Sequence, residues 1–192
     1  MSVNIPIDID ERPLRADAQR NRLRLLEAAD ELFQAHGTEA SLDEIARRAG
    51  VGIGTLYRHF PTREDLVEAL IRSHSQRLLG LAADLLEADD PFEALRTWSR
   101  ALLHYSATYK GLATSFVEAT CADRGRLANS CQEQTAAGTA LFARAQQVGA
   151  VRADATADDA LDLVSAVSLV AERGERTNGE RLLDLALDGL RP

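Results

Sequence analysis

The stretch VGIGTLYRHF, Val51 to Phe60, sets two glycines within three residues and follows them with threonine, tyrosine, arginine and histidine among larger groups. It admits three readings: a phosphate-cradling loop, a buried packing segment, or a surface that meets nucleic acid. A dinucleotide loop needs a third glycine and a preceding strand; here the third glycine is missing and the flanks read as helical. Turned at about 100° per residue from Ile53, a helix gathers Leu56, Phe60, Ile53 and Tyr57 between about 300° and 40°. Gly54, Arg58, Thr55 and His59 then fall between about 100° and 240°. The segment therefore predicts a short helix anchored by Leu56 and Phe60, with small, hydroxyl and cationic groups on its free side. Gly52 and Gly54 leave its start nearly bare, where unpaired N–H groups favour anions.

Upstream, Leu25, Leu26, Ala29, Leu32 and Phe33 recur at three- and four-residue steps. That spacing predicts an amphipathic helix over about 16–36, stopped by Gly37. In "SLDE", Ser41 and Glu44 form a capping-box signature. The short helix after it turns Ile45 and Ala49 inward and ends at Gly50. Two short helices joined at Gly50-Val51, the second outward-facing and basic, make a helix-turn-helix. A corner that merely caps a bundle is the plain alternative. After Pro61, Thr62 and Asp65 open a long helix over about 63–87, whose inward stripe is Leu66, Leu70, His74, Leu78, Leu81 and Leu85. Asp90 and Pro91 start the next, to about Thr108, and further helical patterns cover about 112–120, 124–148, 156–173 and 178–190. No strand and no repeat is evident. The expectation is an all-α chain of about nine helices, preceded by a mobile arm, 1–14, that carries Pro6 and Pro13.

The 192 residues are 45% hydrophobic and 27% charged, which suits a globular core. No apolar run reaches the length of a membrane span and no secretory leader is expected from the first residues. A reducing cytosol is the expected compartment, because Cys121 and Cys131 alone make no disulfide framework. The net charge of −8 speaks against DNA until its distribution is considered. Residues 12–24 hold five arginines and one acid, and residues 46–63 hold four arginines and none. Residues 64–192 carry 20 of the 30 acids. A locally basic face on an acidic body is what these counts permit.

"SLDEIARRAGVGIGTLYRHFPTREDLVEAL", with "RLLEAADELFQAHG" before it, closely resembles the DNA-binding segment of TetR-family transcriptional regulators over about residues 20–72. The remainder resembles, more loosely, one of the family's actinobacterial-style ligand domains. The resemblance implies a DNA-binding domain over 15–62 and a ligand-binding and dimerisation domain over 63–192. It also implies a homodimer on a palindromic double-stranded operator, most simply as a repressor released by a small molecule. Carried over by position, Thr55, Tyr57 and His59 contact the DNA backbone and Arg63 clamps a phosphate. Ile53 and Gly54 face bases, and Arg47 and Arg48 flank the backbone. Asp43 departs from members that read bases with an arginine there, and Ile53 cannot hydrogen-bond. Arg58 is then the natural reader of a guanine.

Downstream, each candidate has a plain counterpart. His74 is either a core histidine or a ligand contact. Trp98 and Tyr105 share a flank beside Leu95 and Leu102 and read first as core; with His74, His104, Phe116 and Glu118 their polar tips also suit an apolar ligand cavity. Cys131 lies on an inward stripe and reads as a small core residue, a redox pair with Cys121 being the alternative. No spacing suggests a metal site, no cofactor is expected, and no nucleophile–base pair marks an enzyme. The competing classes are a helical enzyme using His104 and Glu118, and a helical carrier or adaptor. "ALDLVSAVSLVA" and "RLLDLALDGL" carry more apolar surface than one chain of this size easily covers. They place the expected dimer interface at Leu163, Val164, Val167, Leu183 and Leu187.

Overall fold

Eight α-helices and no strand make up the described residues of the computed structural model, which are 11–37, 39–108, 128–171 and 176–192. In chain order they are α1 (Glu11–His36), α2 (Leu42–Arg48), α3 (Ile53–His59), α4 (Arg63–Leu85), α5 (Pro91–Thr108), α6 (Ala128–Gln147), α7 (Ala157–Ala171) and α8 (Arg176–Asp188). The helix expected near 112–120 lies outside the described residues. The chain divides into two units between Val67 and Glu68, a turn beyond the boundary expected at 62, and α4 runs through the division. Helix α1 begins at Glu11, so the last residues of the expected arm belong to it.

In the first unit, α1 presents Leu25, Leu26, Ala29, Leu32 and Phe33 to Ile45 and Ala46 of α2 and Leu56 of α3, all buried. At seven residues, α3 is too short to be helical alone. Leu56, with no exposed surface, and Phe60, 2% exposed, hold it in place. Burial of each such side chain contributes roughly 1.5–3 kcal/mol. The α2–α3 turn closes on Gly50 at φ 67°, a left-handed conformation that a side chain disfavours. Its N–H donates to the Arg47 carbonyl and that of Val51 to the Ala46 carbonyl, which satisfies two end carbonyls of α2 at once. The expected capping box at Ser41 is half made. Ser41 Oγ accepts from the Glu44 N–H at 3.5 Å, whereas the Glu44 carboxylate turns to Arg47. Thr62 and Asp65 cap α4 reciprocally, at 3.0 Å and 3.1 Å.

In the second unit α5 is central, packing on α6, α7 and α8. Trp98 and Phe92 fill the middle with Leu141, Val164, Leu183 and Leu187. The buried indole N–H of Trp98 donates to the Leu78 carbonyl at 3.1 Å, so the ring is fixed in position as well as in burial. Arg144 of α6 donates to the Ala88 carbonyl at 2.6 Å, just past the end of α4. Helix α6 reaches Trp98 through Gly138: a Cβ there would lie 2.8 Å and 2.9 Å from two indole carbons. Because the indole is tethered, it cannot retreat. Gly138→Val is expected to cost about 1–3 kcal/mol, and thermal unfolding followed by circular dichroism should show Tm lowered by at least about 2–4 °C.

Candidate functional site

The short helix predicted from VGIGTLYRHF is present, and it stops at His59, with Phe60 extended at φ −138° beyond it. Gly52 supplies the N-cap position without a side-chain bond, and a Cβ on Gly54 would meet nothing within 4 Å. Gly54, Tyr57 and Arg58 are exposed; Ile53, Thr55 and His59 are half-buried. Tyr57 is a correction. The helical wheel places it in the inward arc, yet it is 49% exposed. Arg58 folds back along its own helix, its Nε donating to the Gly54 carbonyl at 3.1 Å and an Nη to Thr55 Oγ1 at 3.2 Å. Burial first, then the charges of Arg22 and Arg58, hold the His59 imidazole below its usual range.

The arginines of this unit fall into two sets. Arg20, Arg47 and Arg48 are paired with carboxylates: Arg20 with Asp17, Arg47 with Glu44 at 3.1 Å, and Arg48 with Glu31 at 2.6 Å. The Arg47 hydrogen bond holds the Glu44 carboxyl below its ordinary range. Exposed pairs of this kind contribute little and can be exchanged for a phosphate. Arg22, Arg24 and Arg58 have no carboxylate partner among the described residues. Arg24 hydrogen-bonds Asn21 and brings its guanidinium to 3.7 Å from where a Gly50 side chain would begin, ahead of α3. Arg22 lies over the Phe60 ring, 5.2 Å from its centroid, just past the end of α3. Two arginines of α1 thus bracket the third helix. Residue counts register α1 as basic but do not show which of its arginines stand beside α3. Arg63 is half-buried, with Nη1 donating to the Ala40 carbonyl at 2.7 Å, so it fixes the first turn of α4 to the segment before α2.

Three of the expected ligand residues come together in the second unit. Helix α4 contributes His74, Arg77, Leu78 and Leu81, and α5 contributes Ala101, His104 and Tyr105, to an open cavity of about 220 Å³. His74 stacks on Tyr105 with centroids 5.7 Å apart and planes 21° apart. Tyr105 is hydrogen-bonded to Gln134, and burial pushes its phenol up to about 12, so it stays protonated. Gln134 also donates to Ser75 Oγ at 2.9 Å. Trp98, expected in this set, lies in the core and does not line the cavity. Phe116 and Glu118 lie outside the described residues. Arg77, absent from the sequence-based set, lines the cavity three residues after His74.

Two further expectations are corrected. Val164, Val167, Leu183 and Leu187 are core residues of a single chain, and Leu163 packs half-buried against them. The apolar groups that α7 and α8 leave outside are Leu169, Val170 and Leu185, at 58%, 47% and 59% exposure. Hydrophobic periodicity identifies the apolar helices, but α5 of the same chain covers the face expected to meet a partner. Cys131 is half-buried and disulfide-bonded, not a small core residue; Cys121, the chain's other cysteine, lies outside the described residues. No helix among the described residues is long and apolar enough to cross a membrane, and no group of three or more potential metal-ligating side chains occurs among them.

Comparison with known proteins agrees with this arrangement. Residues 25–70 match the family described as bacterial regulatory proteins, tetR family. Residues 90–192 match the C-terminal domain of SbtR-like transcriptional regulators. A TetR transcriptional regulator from Streptomyces coelicolor is 40% identical, with TM-score 0.75, covering 89% of this chain and 98% of that one. A TetR transcription regulatory protein from Mycobacterium vanbaalenii is 37% identical, with TM-score 0.72, covering 94% and 100%. An HTH-type transcriptional regulator of Staphylococcus aureus is 45% identical over 60 residues, 31% of this chain; the match spans about a third, 32%, of that curated relative's length. The chain belongs to the TetR family of bacterial transcriptional regulators.

Proposed function

We propose that the protein is a homodimeric, ligand-responsive repressor that binds a palindromic operator through α3 and releases it when a small molecule occupies the α4–α5 cavity. The observation that carries the reading is the open face of α3: Gly54 bare, Tyr57 and Arg58 exposed, and arginines at both ends with no carboxylate partner among the described residues. Thr55, Tyr57 and His59 meet the DNA backbone, Ile53 and Gly54 approach the bases, and Arg47, Arg48 and Arg63 stand at flanking phosphates. Two such helices about 34–36 Å apart reach successive major grooves. The outward residues Leu169, Val170 and Leu185 form the face that a second copy covers. Effector and operator prefer different conformations of the dimer; a coupling of about 1–3 kcal/mol weakens operator binding roughly 5- to 150-fold.

The test is retention of duplex fragments from the protein's own promoter region at low ionic strength, followed by selection of binding sites from random sequence. Retention of a palindrome supports the reading, and no retention of any fragment, with or without metabolites, sinks it. Arg58 can abandon its two local bonds for the O6 and N7 acceptors of a guanine. Arg58→Ala is expected to relax the selected sequence at one position in each half-site, losing about 1–3 kcal/mol of discrimination per contact. An unaltered selection profile removes Arg58 from base reading.

A further inference from the structure

The two arginines that close α2 are each held by a carboxylate. Arg47 Nε donates to Glu44 Oε2 at 3.1 Å, one turn earlier on the same helix. Arg48 Nε donates to Glu31 Oε2 at 2.6 Å, across to α1 and 17 residues away. Both arginines and Glu31 are exposed, while Glu44 is half-buried. The Arg47 hydrogen bond holds the Glu44 carboxyl below its ordinary range, so it is an anion at neutral pH. A carboxylate and a phosphate present similar oxygens to a guanidinium fork, and an exposed ion pair contributes little to stability. Each of these guanidiniums therefore has a resident anion that an arriving phosphate can replace.

We propose that Glu31 and Glu44 are specificity-determining residues: they keep Arg48 and Arg47 from the phosphates of other DNA and yield them only when α3 is seated in its operator groove. This rests on the reading of α3 as the operator-binding helix and adds how that surface discriminates against the rest of the DNA. Away from the operator, affinity is electrostatic and independent of sequence. A guanidinium paired with a carboxylate is close to neutral at a distance, and salt screens what remains beyond about 10 Å at about 0.1 M. Non-specific attraction then comes from Arg22, Arg24 and Arg58, and Arg47 and Arg48 add little to it. On the operator, base contacts draw α3 into the major groove, and the helix before it crosses the sugar–phosphate backbone. That brings phosphates within hydrogen-bond distance of the last turn of α2, where Arg47 and Arg48 lie. There they displace the weakly held carboxylates. Two phosphate contacts per protomer are thus made on the operator and withheld elsewhere.

The experiment compares the full-length wild-type protein with the double variant Glu31→Gln/Glu44→Gln, whose new side chains keep the size and one acceptor oxygen for each arginine. Affinity for the palindrome selected by the protein, and for a scrambled duplex of equal length and composition, is measured by fluorescence anisotropy across a salt series. The scrambled duplex is expected to bind the variant about tenfold or more tightly at moderate salt. Its slope of log affinity against log salt should steepen by about three to four units, from four freed arginines per dimer at about 0.9 each. The palindrome should keep the wild-type slope and tighten by less than about threefold, so its preference over the scrambled duplex falls. Glu44→Gln alone, whose ion pair lies within α2 and ties no two helices, should give about half the change in slope. Glu27→Gln removes the same charge from an exposed position of α1 with no ion pair among the described residues, and should leave both slopes unchanged. Equal steepening for both duplexes, or steepening for neither, overturns this inference while the operator reading stands. No retention of either duplex by the wild-type protein overturns both.

Discussion

Leu187→Glu is expected to abolish the folded state of the second unit, while Leu169→Glu with Leu185→Glu leaves it folded and, on the proposed dimer, yields monomers. The two substitutions lie on opposite sides of the α7–α8 pair. Leu187 has no exposed surface and sits among Leu183, Val164 and Trp98. A carboxylate there lies in the hydrophobic core, at a position with no exposed surface through which water could hydrate it. An uncompensated buried charge costs about 3–5 kcal/mol or more, against a total stability of about 5–15 kcal/mol for a domain. Circular dichroism melts should show a collapsed or absent transition. Leu169 and Leu185 are more than half exposed, so glutamate there finds water in the monomer and stability should stay within about 0.5 kcal/mol. In a dimer that covers this face, the same four charges are brought together and desolvated. Light scattering should then give the mass of one chain. A folded Leu187→Glu protein would show that the core is packed otherwise, and a persistent dimer of the double variant would place the interface on another surface.

That contrast also shows how far sequence pattern reaches. Periodicity identified which helices are apolar and, in α3, which side of the helix is held: Leu56 and Phe60 were expected inside and are buried. Gly50 was expected to end α2 and does so in a left-handed conformation, because a turn this tight has few chemical solutions. Periodicity does not say what covers an apolar face. For Leu183 and Leu187 the cover is α5 of the same chain, whereas about half of Tyr57 stays open. Nor does charge counting identify partners. Arg47 and Arg48 were singled out as flanking cations, and each already holds a carboxylate, one of them 17 residues away in α1. Arg22 and Arg24 were counted within a basic run but not assigned. Their relation to α3 arises from the packing of α1 against it, across 26 residues or more of chain. His74 and Arg77 share one side of α4 by spacing alone, yet only the arrival of α5 makes that side a cavity.

Arg22→Ala combined with Arg24→Ala is expected to reduce operator affinity by orders of magnitude at moderate salt and to flatten its salt dependence by about three to four units. The two guanidiniums stand at either end of α3, exposed and without carboxylate partners among the described residues. When α3 enters a major groove, side chains just beyond its ends meet the sugar–phosphate walls on either side of that groove. Each phosphate neutralised contributes about 0.9 to the slope of log affinity against log salt. Two arginines in each of two protomers make four contacts, hence the expected change. The loss should be similar for all sequences, because phosphates carry no base identity; the selected-site profile should keep its shape, in contrast to the Arg58→Ala outcome. Arg20→Ala provides the control. It is exposed on the same helix, but its guanidinium is engaged by Asp17 and is not one of the counted phosphate contacts, so its removal should alter the slope by well under one unit per protomer. If the Arg22/Arg24 double variant keeps the wild-type slope, the arginines brace Phe60 and the α2–α3 turn without touching DNA. A lowered Tm with unchanged salt dependence would identify that bracing role.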